Sequence, residues 1–107
     1  MALSVDVQTR VGGPVAITLR GELDQSTAQQ LRAAVTAALA SSPLRLCLDM
    51  TLVTFVDSSG FGAMVASHKA CHERGCNLTL EGVSHTLYQR LHVTGLTDLF
   101  GLTRPST

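Results

Sequence analysis

The sequence predicts an α/β fold, a mixed β-sheet with helices packed over it, and three observations predict it. Two runs near the N-terminus alternate apolar and polar residues and are separated by Gly12-Gly13-Pro14. Downstream, stretches of helical period take turns with short strand-like stretches, which implies crossover connections between parallel strands. The chain has 107 residues and is 45% hydrophobic, enough to cover one core but not two, so residues 1–107 are read as one domain.

The first strand lies in LSVDVQTRV, alternating from Leu3 to Val7, and the second in PVAITLRG, from Val15 to Leu19. The glycine-proline break between them reads as a hairpin turn. After Gly21 the period changes: Ala28, Leu31, Val35, Ala38 and Leu39 recur at helical spacing, giving an amphipathic helix that ends near Ser41, Ser42 and Pro43. LRLCLDM, Leu44 to Met50, is the next strand, with Arg45 and Cys47 on its polar side, and a short bridge follows it. A second long helix is predicted from about Ser58 to Arg74, with Phe61, Met64, Val65, His68 and Cys71 or His72 on one face and Gly75 as its C-terminal cap. CNLTLEG is a strand with Leu78 and Leu80 inward, and Ser84 caps a short helix that carries Leu87 and Leu91 and closes before Gly95. LTDLFGL supplies a last short extended piece, and a frayed tail is expected from about residue 102. No repeat, linker or low-complexity segment is visible.

Composition excludes several function classes. Lys plus Arg and Asp plus Glu are each 8, so no net field draws the chain to nucleic acid or to an anionic membrane. The start MALSVDVQTR lacks the basic and apolar regions of a secretory signal, and no apolar run approaches the length of a bilayer span. Cys47, Cys71 and Cys76 are odd in number and scattered, which fits reduced thiols in a cytosol better than a disulfide framework. With no Trp, one Tyr and three Phe, there is little aromatic surface on which bases could stack.

The segment TFVDSSGFG, residues 54–62, is where chemistry concentrates. Asp57 and the serines after it are preferred N-cap residues, because their oxygens accept the free amides of a first helical turn. Capping does not require two serines after an acid, nor a glycine that permits close backbone approach. A hydroxyl exposed at a helix N-terminus lies at the positive end of the dipole, where an added phosphoryl group is tolerated by the fold.

Three enzyme or metal readings fit less well. A nucleophile elbow needs glycine two residues either side of the serine, and for Ser58 Gly60 satisfies one side while Val56 occupies the other. Gly60-Phe61-Gly62 opens a helix and Glu81 lies about 20 residues on, as a dinucleotide fingerprint asks, but Val65 replaces the third glycine. His68, Cys71, His72 and Cys76 share spacing suited to zinc, yet His68 and Cys71 fall on the apolar stripe, so a core role is the better reading.

Two stretches together, LRGELDQSTAQQLRAAV and FVDSSGFGAMVASHKACHERGCNLTLEG, resemble the STAS domain of bacterial anti-sigma factor antagonists. The likeness runs from about Val15 to Phe100 and rests on the pairing of Gly21-Glu22-Leu23-Asp24 with Asp57-Ser58-Ser59-Gly60. The resemblance implies a mixed sheet covered mainly on one face by helices. It implies a cytoplasmic, noncatalytic protein that binds an anti-sigma factor serine kinase while unmodified and so releases the sigma factor. It implies that the kinase, supplying ATP, phosphorylates Ser58 and ends binding, and that a serine phosphatase restores it.

No cofactor, metal, nucleic acid or membrane is implied. Asp24, Asp57, Ser59, Gly60 and Gly62 are the expected partner-binding residues; the two glycines keep the approach open, Ser59 is able to bond a first-turn amide, and Phe61 anchors the helix in the core. Many members carry a further helix where this chain has only GLTRPST after Phe100. The alternatives are a STAS adaptor in another signalling or lipid-transport complex without phosphorylation, and a small nucleotide-binding enzyme built on the Gly60 to Gly62 turn.

Overall fold

A computed structural model describes residues 2–9 and 13–102. Strands β1 (Leu3–Thr9), β2 (Val15–Leu23), β3 (Arg45–Val56) and β4 (Asn77–Glu81) alternate with helices α1 (Ala28–Leu39), α2 (Ser58–Glu73) and α3 (His85–Val93), in the order β1-β2-α1-β3-α2-β4-α3. The sheet order is β1-β2-β3-β4. β1 runs antiparallel to β2, with Leu3 opposite Gly21 and Thr9 opposite Val15, as a hairpin requires. Of the expected turn Gly12-Gly13-Pro14, Gly12 lies outside the described residues, as does the tail beyond Leu102. β2 with β3, and β3 with β4, pair in parallel, so α1 and α2 are the crossovers.

Inward residues of the strands, among them Ile17, Leu19, Leu46, Leu48, Met50, Leu78 and Leu80, join Leu31, Val35, Met64 and Leu91 of the helices in one buried cluster. The helices therefore cover one face. The other face carries Thr18, Arg45, Cys47, Asp49, Asn77, Thr79 and Glu81, the alternate positions of the same strands.

Four local expectations are corrected. β2 continues past Leu19 to Leu23, with Gly21 at φ +114° and register shifts against β3 on either side of it, a bulge that only glycine adopts without strain. The bridge after Met50 is strand: β3 runs on to Val56 and pairs with Arg20–Leu23. Its residues TLVTFV have strong β-propensity, but β4 pairs only as far as Asp49, so Leu52 and Phe55 remain exposed and the alternation is lost.

The last extended piece is instead a coiled turn, closed by Phe100 N donating to Leu96 O and Leu102 N donating to Thr97 O at 3.3 and 2.9 Å. Its apolar Leu96 and Phe100 recur at helical rather than strand spacing, and Phe100 packs edge-on against His68, 5.6 Å between ring centres. Finally, α2 buries Gly60, Ala63, Met64, Ser67 and Cys71, a face that shares Met64 and Cys71 with the predicted one but is rotated from it, away from Phe61, Val65 and His68. Phe61 and His68 are half-buried and His72 is exposed. Small side chains let α2 lie close to its neighbours, and Ser67 Oγ satisfies itself by donating to Ala63 O at 2.7 Å.

The C-terminus of α2 is a Schellman turn: Cys76 N donates to Cys71 O at 2.8 Å, Gly75 N to His72 O at 3.2 Å, and Gly75 has φ +69°. Cys71 and Cys76 form its apolar contact. Burial, and then the neighbouring Cys76, push the Cys71 thiol up to about 12. It is an uncharged core group at neutral pH.

The start of α2 is fixed by Gly60. A β-carbon there would overlap the Leu23 carbonyl oxygen and lie 2.8 Å from Val56 Cγ1, whereas one on Gly62 would meet only Arg32 Nη2, at 4.0 Å. Gly60→Ala is expected to destabilise the domain by about 1–3 kcal/mol through overpacking. Gly62→Ala is expected to stabilise it by about 0.5–1 kcal/mol through helix propensity. Urea midpoints of the two variants against the parent check both signs.

Candidate functional site

β2 and β3 are parallel neighbours, so their carboxyl ends come out side by side. Leu23 pairs with Val56 at that edge, which brings Asp24 and Asp57, far apart in sequence, to adjacent loops. Asp57 N donates to Leu23 O at 3.2 Å. The Asp57 carboxylate then divides its oxygens: Oδ1 accepts from Gly60 N at 2.9 Å and Oδ2 accepts from Gln25 N at 3.2 Å. The first bond caps α2 and the second fastens the loop after β2 to that cap. One side chain thus joins the two sequence motifs.

Asp24 shapes its own turn. Its Oδ1 accepts from Ser26 Oγ at 2.7 Å, Ser26 N at 2.9 Å and Thr27 N at 3.2 Å. Thr27 Oγ1 donates onward to Glu22 O at 2.7 Å. The side chain of Asp24 therefore folds the turn before α1, while its backbone oxygen accepts from Ala28 N at 2.8 Å. The Ser26 hydroxyl, supported by the Ser26 amide and Thr27, holds the Asp24 carboxyl below the usual carboxylate range against the opposing effect of partial burial.

The remaining expected residues take separate places. Ser58 is the first residue of α2 and is exposed, and its hydroxyl makes no hydrogen bond among the described residues. Ser59 is half-buried; Asp57, not Ser59, accepts the first-turn amide of Gly60. Gly60 differs from the expectation of an open approach, because it is buried and its missing side chain is filled by Leu23. Gly62 is exposed on the outer side of α2.

Arg90 is a site neighbour that sequence reasoning missed. From α3 it donates through Nη1 to Val56 O, and its guanidinium sits 4.8 Å from the centre of the Phe61 ring. Phe61 is half-buried and packs against the core as expected, and its ring is also a platform under a cation. No local motif marks Arg90; only the packing of α3 beside the end of β3 brings it here.

The lowered Asp24 ionisation has a definite sign. A carboxyl whose folded pKa is depressed contributes stability that is present above its unfolded value, about 3.9, and is lost as pH falls through the folded value. Asp24→Asn keeps an oxygen acceptor but cannot titrate. The gap in melting temperature between parent and Asp24→Asn is expected to narrow as pH drops below about 3.9; a gap that stays constant in acid would contradict it.

The family model described as "Mlab, STAS domain" matches residues 7–103. The anti-sigma-B factor antagonist of Bacillus subtilis is 32% identical over 107 residues, covering 99% of this chain and 95% of that protein. That of Listeria monocytogenes is 30% identical over 99 residues, covering 92% of this chain and 87% of that protein. Among solved structures, an anti-sigma factor antagonist from Mycobacterium paratuberculosis superposes with a TM-score of 0.79 at 27% identity, covering 98% of this chain and 87% of the other. With the mixed sheet, the joined GELD and DSSG loops and these matches along nearly its whole length, the chain belongs to the STAS domain family, of the bacterial anti-sigma factor antagonist type.

Proposed function

We propose that the unmodified protein binds an anti-sigma factor that is also a serine kinase, freeing the sigma factor, and that phosphorylation of Ser58 switches the binding off. The observation that carries this reading is the division of labour at the start of α2. Asp57 performs the capping, so the exposed Ser58 hydroxyl is not needed by the fold and is available to another protein. The kinase transfers the γ-phosphoryl group of ATP to Ser58 Oγ, the hydroxyl proton departs, and ADP is the second product. Hydrolysis of the ester by a serine phosphatase regenerates the hydroxyl.

The energetic case is electrostatic. A phosphoryl group adds about −1.5 to −2 charges at pH 7, directly after the Asp57 carboxylate. At a packed interface, desolvation and like-charge repulsion cost several kcal/mol, and a loss of about 3 kcal/mol weakens binding roughly a hundredfold. The loops that carry Ser58 stay pinned by Asp57, so the change acts on the surface rather than on the fold. Asp24, Ser59 and Gly62 surround this surface, and the cytoplasm is the place of action. None of the described helices is long and apolar enough to cross a membrane.

Intact-mass analysis after exposure to the cognate kinase and ATP is expected to show one added phosphoryl group on the parent and none on Ser58→Ala. Ser58→Ala is expected to retain kinase binding, and Ser58→Asp to weaken it by at least about tenfold, a difference of about 1.4 kcal/mol. Labelling of Ser58→Ala to the same extent as the parent would move the acceptor elsewhere and overturn the reading.

A further inference from the structure

Ser58 and Gly62 are one helical turn apart on α2, so they project from the same side of it. The position that a β-carbon of Gly62 would take is met only by Arg32 Nη2, at 4.0 Å. Arg32 comes from α1, which begins at the same end of the molecule as α2, where Gln25 N reaches Asp57. The groove that continues between the two helices is lined by Arg32, Val35, Thr36, Ala66, Ser67 and Ala70, and holds no acidic side chain.

Arg32 is exposed, and among the described residues its guanidinium makes no hydrogen bond or ion pair. The guanidinium groups of Arg74 and Arg90, by contrast, are engaged by Leu39 O and Val56 O. The acids of the two adjacent loops are engaged too: Asp57 by Gly60 N and Gln25 N, Asp24 by Ser26 and Thr27. Neither forms an ion pair with Arg32 among the described residues.

We propose that Arg32 is the counter-charge of phosphorylated Ser58: its guanidinium, lying over the space left by Gly62, pairs with the added phosphoryl group. Side chains one turn apart on a helix are separated by about 5–6 Å at their β-carbons, a gap that the phosphoryl arm and the long arginine stem span together. Gly62 matters because a larger side chain there would stand between them. The consequence is that modification alters the docking face twice, by adding negative charge and by occupying an exposed cation. The inference rests on the reading of Ser58 as the acceptor, and deepens it by assigning a residue that responds to the modification.

The test uses full-length protein carrying phosphoserine built in at position 58 by genetic-code expansion, and reads the second ionisation of the phosphoryl group by phosphorus NMR. Pairing with a cation favours the dianion, so Arg32→Gln is expected to raise that pKa by about half a unit or more. Arg32→Lys, which keeps the charge but not the planar fork, is expected to fall between. Arg45→Gln, on the opposite face of the sheet, is expected to leave the titration unchanged. Superimposable titrations of the parent and Arg32→Gln, with unchanged amide spectra showing both folded, would overturn the pairing. Because the phosphoserine is installed without a kinase, this failure is distinct from failure of the kinase to label Ser58, which would overturn the functional reading instead.

Discussion

Asp57 uses the two oxygens of one carboxylate on two different loops, and the functional end of the molecule depends on that. Oδ1 closes the first turn of α2 at Gly60, and Oδ2 holds the loop after β2 at Gln25. The arrangement works only because α2 begins almost in contact with β2, and it does so because Gly60 has no side chain to displace the Leu23 carbonyl. Parallel pairing of β2 with β3 puts the two loops at one edge, and Asp57 turns that proximity into a fixed surface. A helix cap of this kind is worth about 0.5–2 kcal/mol, small beside the core, but it is applied where position matters most.

On this fixed surface the proposed phosphoacceptor is a residue the fold does not use. Ser58 follows the capping acid, is exposed and has a free hydroxyl. On one side Arg90 bonds the carbonyl of Val56 and covers Phe61; on the other Arg32 lies over Gly62. The first arginine is bonded to the backbone and steadies the end of β3, while the second makes no hydrogen bond or ion pair among the described residues. Under the proposed switch, a partner would meet a surface whose shape is set by buried contacts and whose charge is set by one hydroxyl. In the proposed switch, an added phosphoryl group would cost several kcal/mol at the interface, while the loops stay held by the Asp57 bonds.

Much of this was legible in the sequence because it rested on local rules. The order of elements followed from period changes, Gly75 and Gly95 marked helix ends through their left-handed backbone, and Ser84 capped α3 by accepting from Leu87 N. Asp57 was legible as a cap, but its second bond was not, since Gln25 contributes a backbone amide that any residue but proline would supply. The buried face of α2 includes Met64 and Cys71 as expected but is rotated towards Gly60, Ala63 and Ser67, because close approach is decided by size, while hydropathy points through Phe61, Val65 and His68. Likewise the second half of β3 was hidden by exposed Leu52 and Phe55, where β4 no longer pairs alongside. Arg32 and Arg90 belong to the site only through tertiary packing, and no spacing in the sequence links them to Ser58.

We propose that modification of Ser58 changes one surface without rearranging the domain. Backbone amide NMR spectra of the unmodified and Ser58-phosphorylated forms test it most directly. Shifts confined to Asp24–Thr27, the first two turns of α2 and Arg32 are the predicted result. Shifts of comparable size spread through β1, β4 and the C-terminal half of α2 would show that the domain itself is remodelled, and would contradict it.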